Sequence, residues 1–202
     1  MRWVILFLVM PVVAVADPVE RVEQAAMEAF DSMPPVQIAR EIAGRCGADA
    51  NVNPHAAYCT SQNVIFLTRD VRDQPQAAYL VAHSYGHAVQ VRHGVADFAL
   101  AQIRARRDEE AMLRGLVERQ VDCIAGFLVA GADLPKAALT DWFDTDPFDD
   151  IHWGRDPLSI GPVMGVDLAD RDTWFQIGQE GDIAACSPGE FTADLLVAAL
   201  RK

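Results

Sequence analysis

Two polar pairs, each spaced four residues apart, constrain this chain more than anything else in it: His83 with His87, and Glu118 with Asp122. On a helix, side chains at i and i+4 lie one turn apart on the same face. Each pair therefore projects from one side of its helix, and two such helices can pack face to face. His83, His87 and Glu118 then supply three ligands to one metal ion and leave a fourth position open. Asp122 is placed to accept a hydrogen bond from the free ring nitrogen of a ligand histidine, which fixes the tautomer and raises ligand basicity. Histidines at this spacing arise by chance on many helices, and an acidic pair on a helix is usually a solvated face. The apolar neighbours Val117, Val121 and Cys123 argue against a solvated face here.

The flanking residues are consistent with both helices. Asp73-Gln74-Pro75 offers a cap and a first-turn proline. Ala77, Leu80, Val81, Ser84, Ala88 and Val91 line the helix that follows, and Gly94 ends it. Asp108-Glu109-Glu110 puts acids in the first turn of the second helix, which runs through Met112, Leu116, Cys123, Phe127 and Ala130 to Gly131. Residues 18–31 carry apolar positions at helical spacing up to the break at Pro34-Pro35, and 36–43 is a short amphipathic stretch. Only 63–68 reads clearly as β. A shorter helix is expected over 135–143 and closing helices over 172–180 and 191–200, with an irregular surface excursion over 144–170. The expected fold class is mainly α with a small β element (α+β).

Residues 1–16 read as a secretory signal peptide: Arg2 as n-region, an apolar run over 3–13, and Ala14-Val15-Ala16 as the cleavage site. An uncleaved anchor is the alternative, but the run falls short of the ~20 apolar residues a spanning helix needs. Residues 17–202 have the size of a single domain. Export makes the protein secreted or periplasmic. A net charge of −12 argues against nucleic acid and anionic membranes as partners. No later stretch is long and apolar enough to span a bilayer. An even count of cysteines behind an export signal suggests disulfides, with three pairings open to Cys46, Cys59, Cys123 and Cys186. The polar, turn-rich segment between Cys46 and Cys59 favours a local bridge, which leaves Cys123 and Cys186 to pair over a long range. With no C-x-x-C present, a cysteine zinc site is the weaker reading.

Several segments resemble the bacterial neutral zinc metallopeptidase family. His83-Ser84-Tyr85-Gly86-His87-Ala88-Val89-Gln90 is similar to its H-E-x-G-H-x-x-Q helix, and Glu118-Arg119-Gln120-Val121-Asp122-Cys123-Ile124-Ala125-Gly126 to its E-L-Q-A-D-C-x-A-G segment. More weakly, Cys46-Gly47 to Tyr58-Cys59 and the strand around Ile65 resemble the family's Cys-flanked loop and edge strand. Trp174-Phe175 through Gly181-Asp182 to Cys186 resembles its C-terminal W-F…G-D…C segment. The match is patchy, spans roughly residues 40–190, and is poor over 144–170. The resemblance implies a disulfide-stabilised, gluzincin-like single domain. It implies Zn²⁺ on His83, His87 and Glu118, Asp122 behind the ligands, and a peptide or protein as ligand.

The departure is Ser84, which stands where the family carries its catalytic Glu. A serine hydroxyl has no useful basicity near neutral pH. Zinc alone lowers the pKa of its water to about 7, but general acid–base catalysis typically contributes ~10²–10⁴-fold beyond that. The expectation is a catalytically impaired or inactive peptidase homologue that keeps its zinc site and binds peptide or protein. The alternative is an active zinc metallopeptidase with a different general base, for which Asp97, Glu109 and Glu110 are nearby in sequence. His93 falls off the ligand face. Tyr85 could donate to a carbonyl oxygen but reads better as an aromatic on a helix flank. Ser84 as a nucleophile lacks the G-x-S-x-G elbow.

Overall fold

The first helix begins where its caps dictate. In the computed structural model, which describes residues 17–47, 55–148 and 165–202, α1 spans Pro18–Ala29. The Asp17 carboxylate accepts the Val19 N–H at 2.9 Å, and Pro18 fills a first-turn position that needs no donor. Val19, Val22, Ala25 and Ala26 bury one stripe, and Phe30 leaves the helix in extended conformation to bridge Leu200. The signal-peptide reading of 1–16 falls outside the described residues, as do 149–164 of the expected excursion.

Three short strands form one sheet: β1 Val36–Ala39, β2 Ala56–Cys59 and β3 Val64–Thr68, in the order β1-β3-β2. β1 runs parallel to β3 and β2 antiparallel to it. All five residues of β3 are buried, which explains its continuous apolar signal. β3 is thus the middle strand and not an edge. The amphipathic stretch 36–43 begins as β1, because Pro34-Pro35 feeds it in extended conformation and the Pro35 carbonyl accepts the Ile65 N–H at 3.0 Å.

The central helix α2, Ala77–Arg92, starts later than Asp73-Gln74-Pro75 suggested. Gln76 is its cap residue and Asp73 does not cap it. Every residue from Ala77 to Gln90 is buried, so α2 is enclosed on all sides. Gly94, at φ +83°, ends it and turns the chain into α3, Val95–Ala105, an element the sequence reading did not contain. A 3-10 turn at Arg107–Glu109 leads into α4, Glu110–Gly131. The helix expected over 135–143 is a single 3-10 turn, Leu139–Asp141. α5 covers Leu168–Gly178, begun by the Asp167 side chain, which accepts the Asp170 N–H at 2.9 Å. It starts four residues ahead of the expected 172 because that cap lies inside the supposed excursion. α6 is Asp194–Ala199.

Disulfides join Cys46 to Cys59 and Cys123 to Cys186, the pairing the turn-rich loop favoured. The fold class is α+β. Among the described residues, no helix is long and apolar enough to cross a membrane.

Two close helix crossings position the site. At Gly86, an added Cβ would stand 2.8 Å from the Val121 carbonyl oxygen, so only glycine lets α2 and α4 approach this closely. A Cβ on Gly126 would collide with the Phe175 carbonyl oxygen, and one on Gly178 with that of Cys123. That pair of glycines seats α5 against α4.

Candidate metal centre

The Gly86 contact brings the two motif helices face to face, and His83, His87 and Glu118 converge in the buried space between them. One ligand atom from each lies within 4.8 Å of the others. His83 Nε2 is 3.8 Å from Glu118 Oε2, and His87 Nε2 is 3.8 Å from Glu118 Oε1. Atoms that each bind one ion at about 2.0–2.2 Å stand no more than about 4.4 Å apart, so both separations suit a shared ion. The imidazoles are nearly perpendicular, with ring centroids 4.9 Å apart.

Asp122, one turn beyond Glu118 on α4, sits behind His83. Its Oδ1 is 2.9 Å from His83 Nδ1. A carboxylate accepts only, so Nδ1 carries the proton and the Nε2 lone pair is left on the Glu118 side. The Tyr79 hydroxyl donates to the same Oδ1 at 2.8 Å. Phe148 stacks on the other surface of the His83 ring, with centroids 3.8 Å apart and planes 17° from parallel. His83 is thereby fixed in tautomer and in plane.

Arg171 on α5 joins the site, and the sequence reading did not single it out. Its Nη1 donates to Asp122 Oδ2 at 3.0 Å and to Glu118 Oε2 at 3.2 Å, while Nε donates to both oxygens of Asp146 at 2.9 and 3.0 Å. The side chain is 1% exposed. Burial pulls its guanidinium down, but Asp122, Glu118 and Asp146 outweigh that and hold it above its ordinary range. Burial likewise pushes the Asp122 carboxyl up to about 6, against the pull of Arg171. Asp146 is raised for the same reason. Among the described residues, these three carboxylates share the one Arg171 guanidinium. Two imidazole nitrogens and one carboxylate oxygen form a donor set suited to a divalent cation. The group could hold a metal ion.

The remaining candidates are not members of the His83–His87–Glu118 group. Ser84 is buried, and its hydroxyl donates to the Leu80 carbonyl at 3.0 Å, one turn back on its own helix. The Tyr85 hydroxyl donates to the Pro34 carbonyl at 2.8 Å, and burial pushes that phenol up, so Tyr85 is a packing residue. His93 caps the end of α2 against Phe30, where burial pulls its imidazole down. Asp97 is exposed on α3. Glu109 accepts from Arg106 at 3.1 Å, and Glu110 holds Arg114 at 2.9 Å. None of the three belongs to the His83–His87–Glu118 group.

Arg171 did leave a trace in the sequence. The buried positions of α5 are Arg171, Phe175 and Gly178, a helical i, i+4, i+7 stripe with a guanidinium at its head. A buried arginine needs acids opposite it, and Glu118 and Asp122 are the acids on the face α5 covers.

No family model, no curated protein and no solved structure matches the chain.

Proposed function

We propose that this chain is an exported, divergent homologue of the bacterial neutral zinc metallopeptidases, with a gluzincin-like domain that holds Zn²⁺ and binds peptide or protein without hydrolysing it efficiently. The observation that carries this reading is the buried convergence of His83, His87 and Glu118 with Asp122 on His83 Nδ1. His83, His87 and Glu118 would hold the ion, and Asp122 keeps the proton on Nδ1 so that Nε2 can serve as a ligand. A bound Zn²⁺ would supply Lewis-acid polarisation of a peptide carbonyl.

The weak-hydrolysis part rests on Ser84. Its hydroxyl is spent on the Leu80 carbonyl, and it has no carboxylate with which to take a proton. Among the described residues, the acids beside the group are otherwise engaged: Asp122 by His83, Tyr79 and Arg171, and Asp146 by Arg171. Two disulfides support an exported location, secreted or periplasmic. The net charge of −12 supports a protein or peptide ligand over nucleic acid.

The test pairs metal analysis with a peptide-library hydrolysis assay. Purified wild type should carry about one Zn²⁺ per chain, held by the donor set above, and a His83→Ala, His87→Ala double variant should lose it. Ser84→Glu should raise hydrolysis on the order of 10²-fold, and a chelator should abolish the gain. Equal zinc in wild type and double variant would overturn the metal site. Wild-type hydrolysis as fast as that of Ser84→Glu would make the protein an active peptidase with another base.

A further inference from the structure

Residues 143–148 form neither helix nor strand, yet they reach the metal group. Two side chains make the contact. The Asp146 carboxylate accepts Arg171 Nε through both oxygens, at 2.9 and 3.0 Å. It also accepts the Phe148 N–H at 2.8 Å, which folds the segment back on itself. Pro147, its φ locked by the ring, stiffens the link between them. The Phe148 ring lies flat on His83, with centroids 3.8 Å apart, and its centre is 5.1 Å from the Arg171 guanidinium carbon. His83 Nε2 is 3.8 Å from Glu118 Oε2, and Arg171 Nη1 donates to that same oxygen at 3.2 Å. A ring set against both His83 and Arg171 therefore covers the side of the group where His83 meets Glu118. Phe148 is buried, whereas Asp146 keeps 21% of its side chain exposed, so the segment is dry at its metal end and wet at its arginine end.

We infer that Asp146-Pro147-Phe148 is a latched strap over the metal group: Arg171 holds Asp146, and an ion exchanges with His83 and Glu118 only when Phe148 lifts away. The inference rests on the metal-site reading above and adds a kinetic control to it. Lifting the strap breaks charge-assisted hydrogen bonds at Asp146, unstacks two rings and exposes the Phe148 ring to water. None of these contacts is a bond to the ion. The same barrier therefore stands before an ion that enters and one that leaves, and the strap sets both rates while leaving their ratio nearly alone. A bound ion is kept in place through brief exposure to competing chelators.

The experiment follows Zn²⁺ in both directions by stopped flow with the full chain. Release is read with a chromogenic chelator, at concentrations where the rate no longer depends on it, and uptake with metal-free protein in zinc buffer. Phe148→Leu keeps an apolar side chain but loses the flat stack, and Asp146→Ala removes the latch. Each should speed release and uptake about tenfold, while Kd moves about threefold or less. Asp146→Ala is the sharper case. Loss of a negative charge by itself slows the arrival of a cation, so faster uptake has no electrostatic source. Faster release with uptake unchanged or slower would overturn the strap and leave the two residues as supports of His83. Wild-type rates in both variants would overturn it as well. Should Phe148→Leu fail to melt cooperatively, Asp146→Ala, altered at the partly exposed end, decides the case. If wild type melts cooperatively but takes up no Zn²⁺, the metal reading itself fails, and this inference with it.

Discussion

Gln90 on α2 donates its side-chain amide to Oε1 of Gln120 on α4 at 3.2 Å, with both residues buried. Gln90 also donates to the Val117 carbonyl at 3.2 Å, and Gln120 to the Cys186 carbonyl at 3.0 Å. The two motif helices and the segment after α5 are thereby tied by one chain of amides. Neither glutamine is a member of the metal group, so their contribution is to stability and alignment.

Gln120→Leu should therefore destabilise the protein by about 1–3 kcal/mol, because it takes one of two acceptors from the buried Gln90 amide and removes the donor to the Cys186 carbonyl. Urea unfolding checks the loss, and zinc content measured under native conditions should stay at the wild-type level.

Arg171→Met should cost about 3–5 kcal/mol in the metal-free protein, since it takes the guanidinium away from the buried Glu118 and Asp122 carboxylates and from the partly buried Asp146. Added Zn²⁺ should recover part of that loss. Thermal unfolding with and without the ion reads both effects, and a variant as stable as wild type when metal-free would refute the assigned role.

Asp122→Asn keeps the shape but removes the charge that fixes His83. Zinc affinity should fall about 10–100-fold, as for other partners of metal-bound histidines. Competition with a fluorescent chelator measures it.

Gly86→Ala should weaken zinc binding through the backbone alone. The new Cβ would meet the Val121 carbonyl oxygen at 2.8 Å, so α2 and α4 must separate and carry the two histidines away from Glu118. A stability loss of about 1–3 kcal/mol should accompany the change, as for other overpacked interiors. Chelator competition and urea unfolding on the same sample read the two losses together.

Replacing Cys123 and Cys186 with serine should cost about 2–5 kcal/mol, near the upper end because that bridge closes a 63-residue separation. Replacing Cys46 and Cys59, 13 residues apart, should cost less. Urea unfolding of the two double variants gives the order.

The parts legible in sequence were those written in local spacing. His83 with His87, and Glu118 with Asp122, follow from helical geometry, and β3 announces itself because both its faces are buried. What escaped depends on partners far along the chain. Arg171 acquires its meaning from acids 49 and 53 residues away. β1 leaves Gln37 and Ile38 exposed, so it carries no continuous apolar run, and only its parallel pairing with β3 makes it a strand. The expected helix over 135–143 gave way because the Leu139 N–H is claimed by Asp172 Oδ1 at 2.6 Å, a tertiary bond that no local propensity encodes. The motif glycines and glutamines were visible as letters, but their functions, close helix contact and an amide chain, required the packed structure.

The Phe148 ring, lying nearly flat on the His83 imidazole at 3.8 Å, has a spectroscopic consequence. Its ring current shields the carbon-bound protons of His83 and moves their resonances upfield, apart from those of histidines with no aromatic ring stacked face-on. His83 therefore carries its own label. A proton spectrum of the intact protein can follow occupancy of the buried group, ion by ion, with no probe attached.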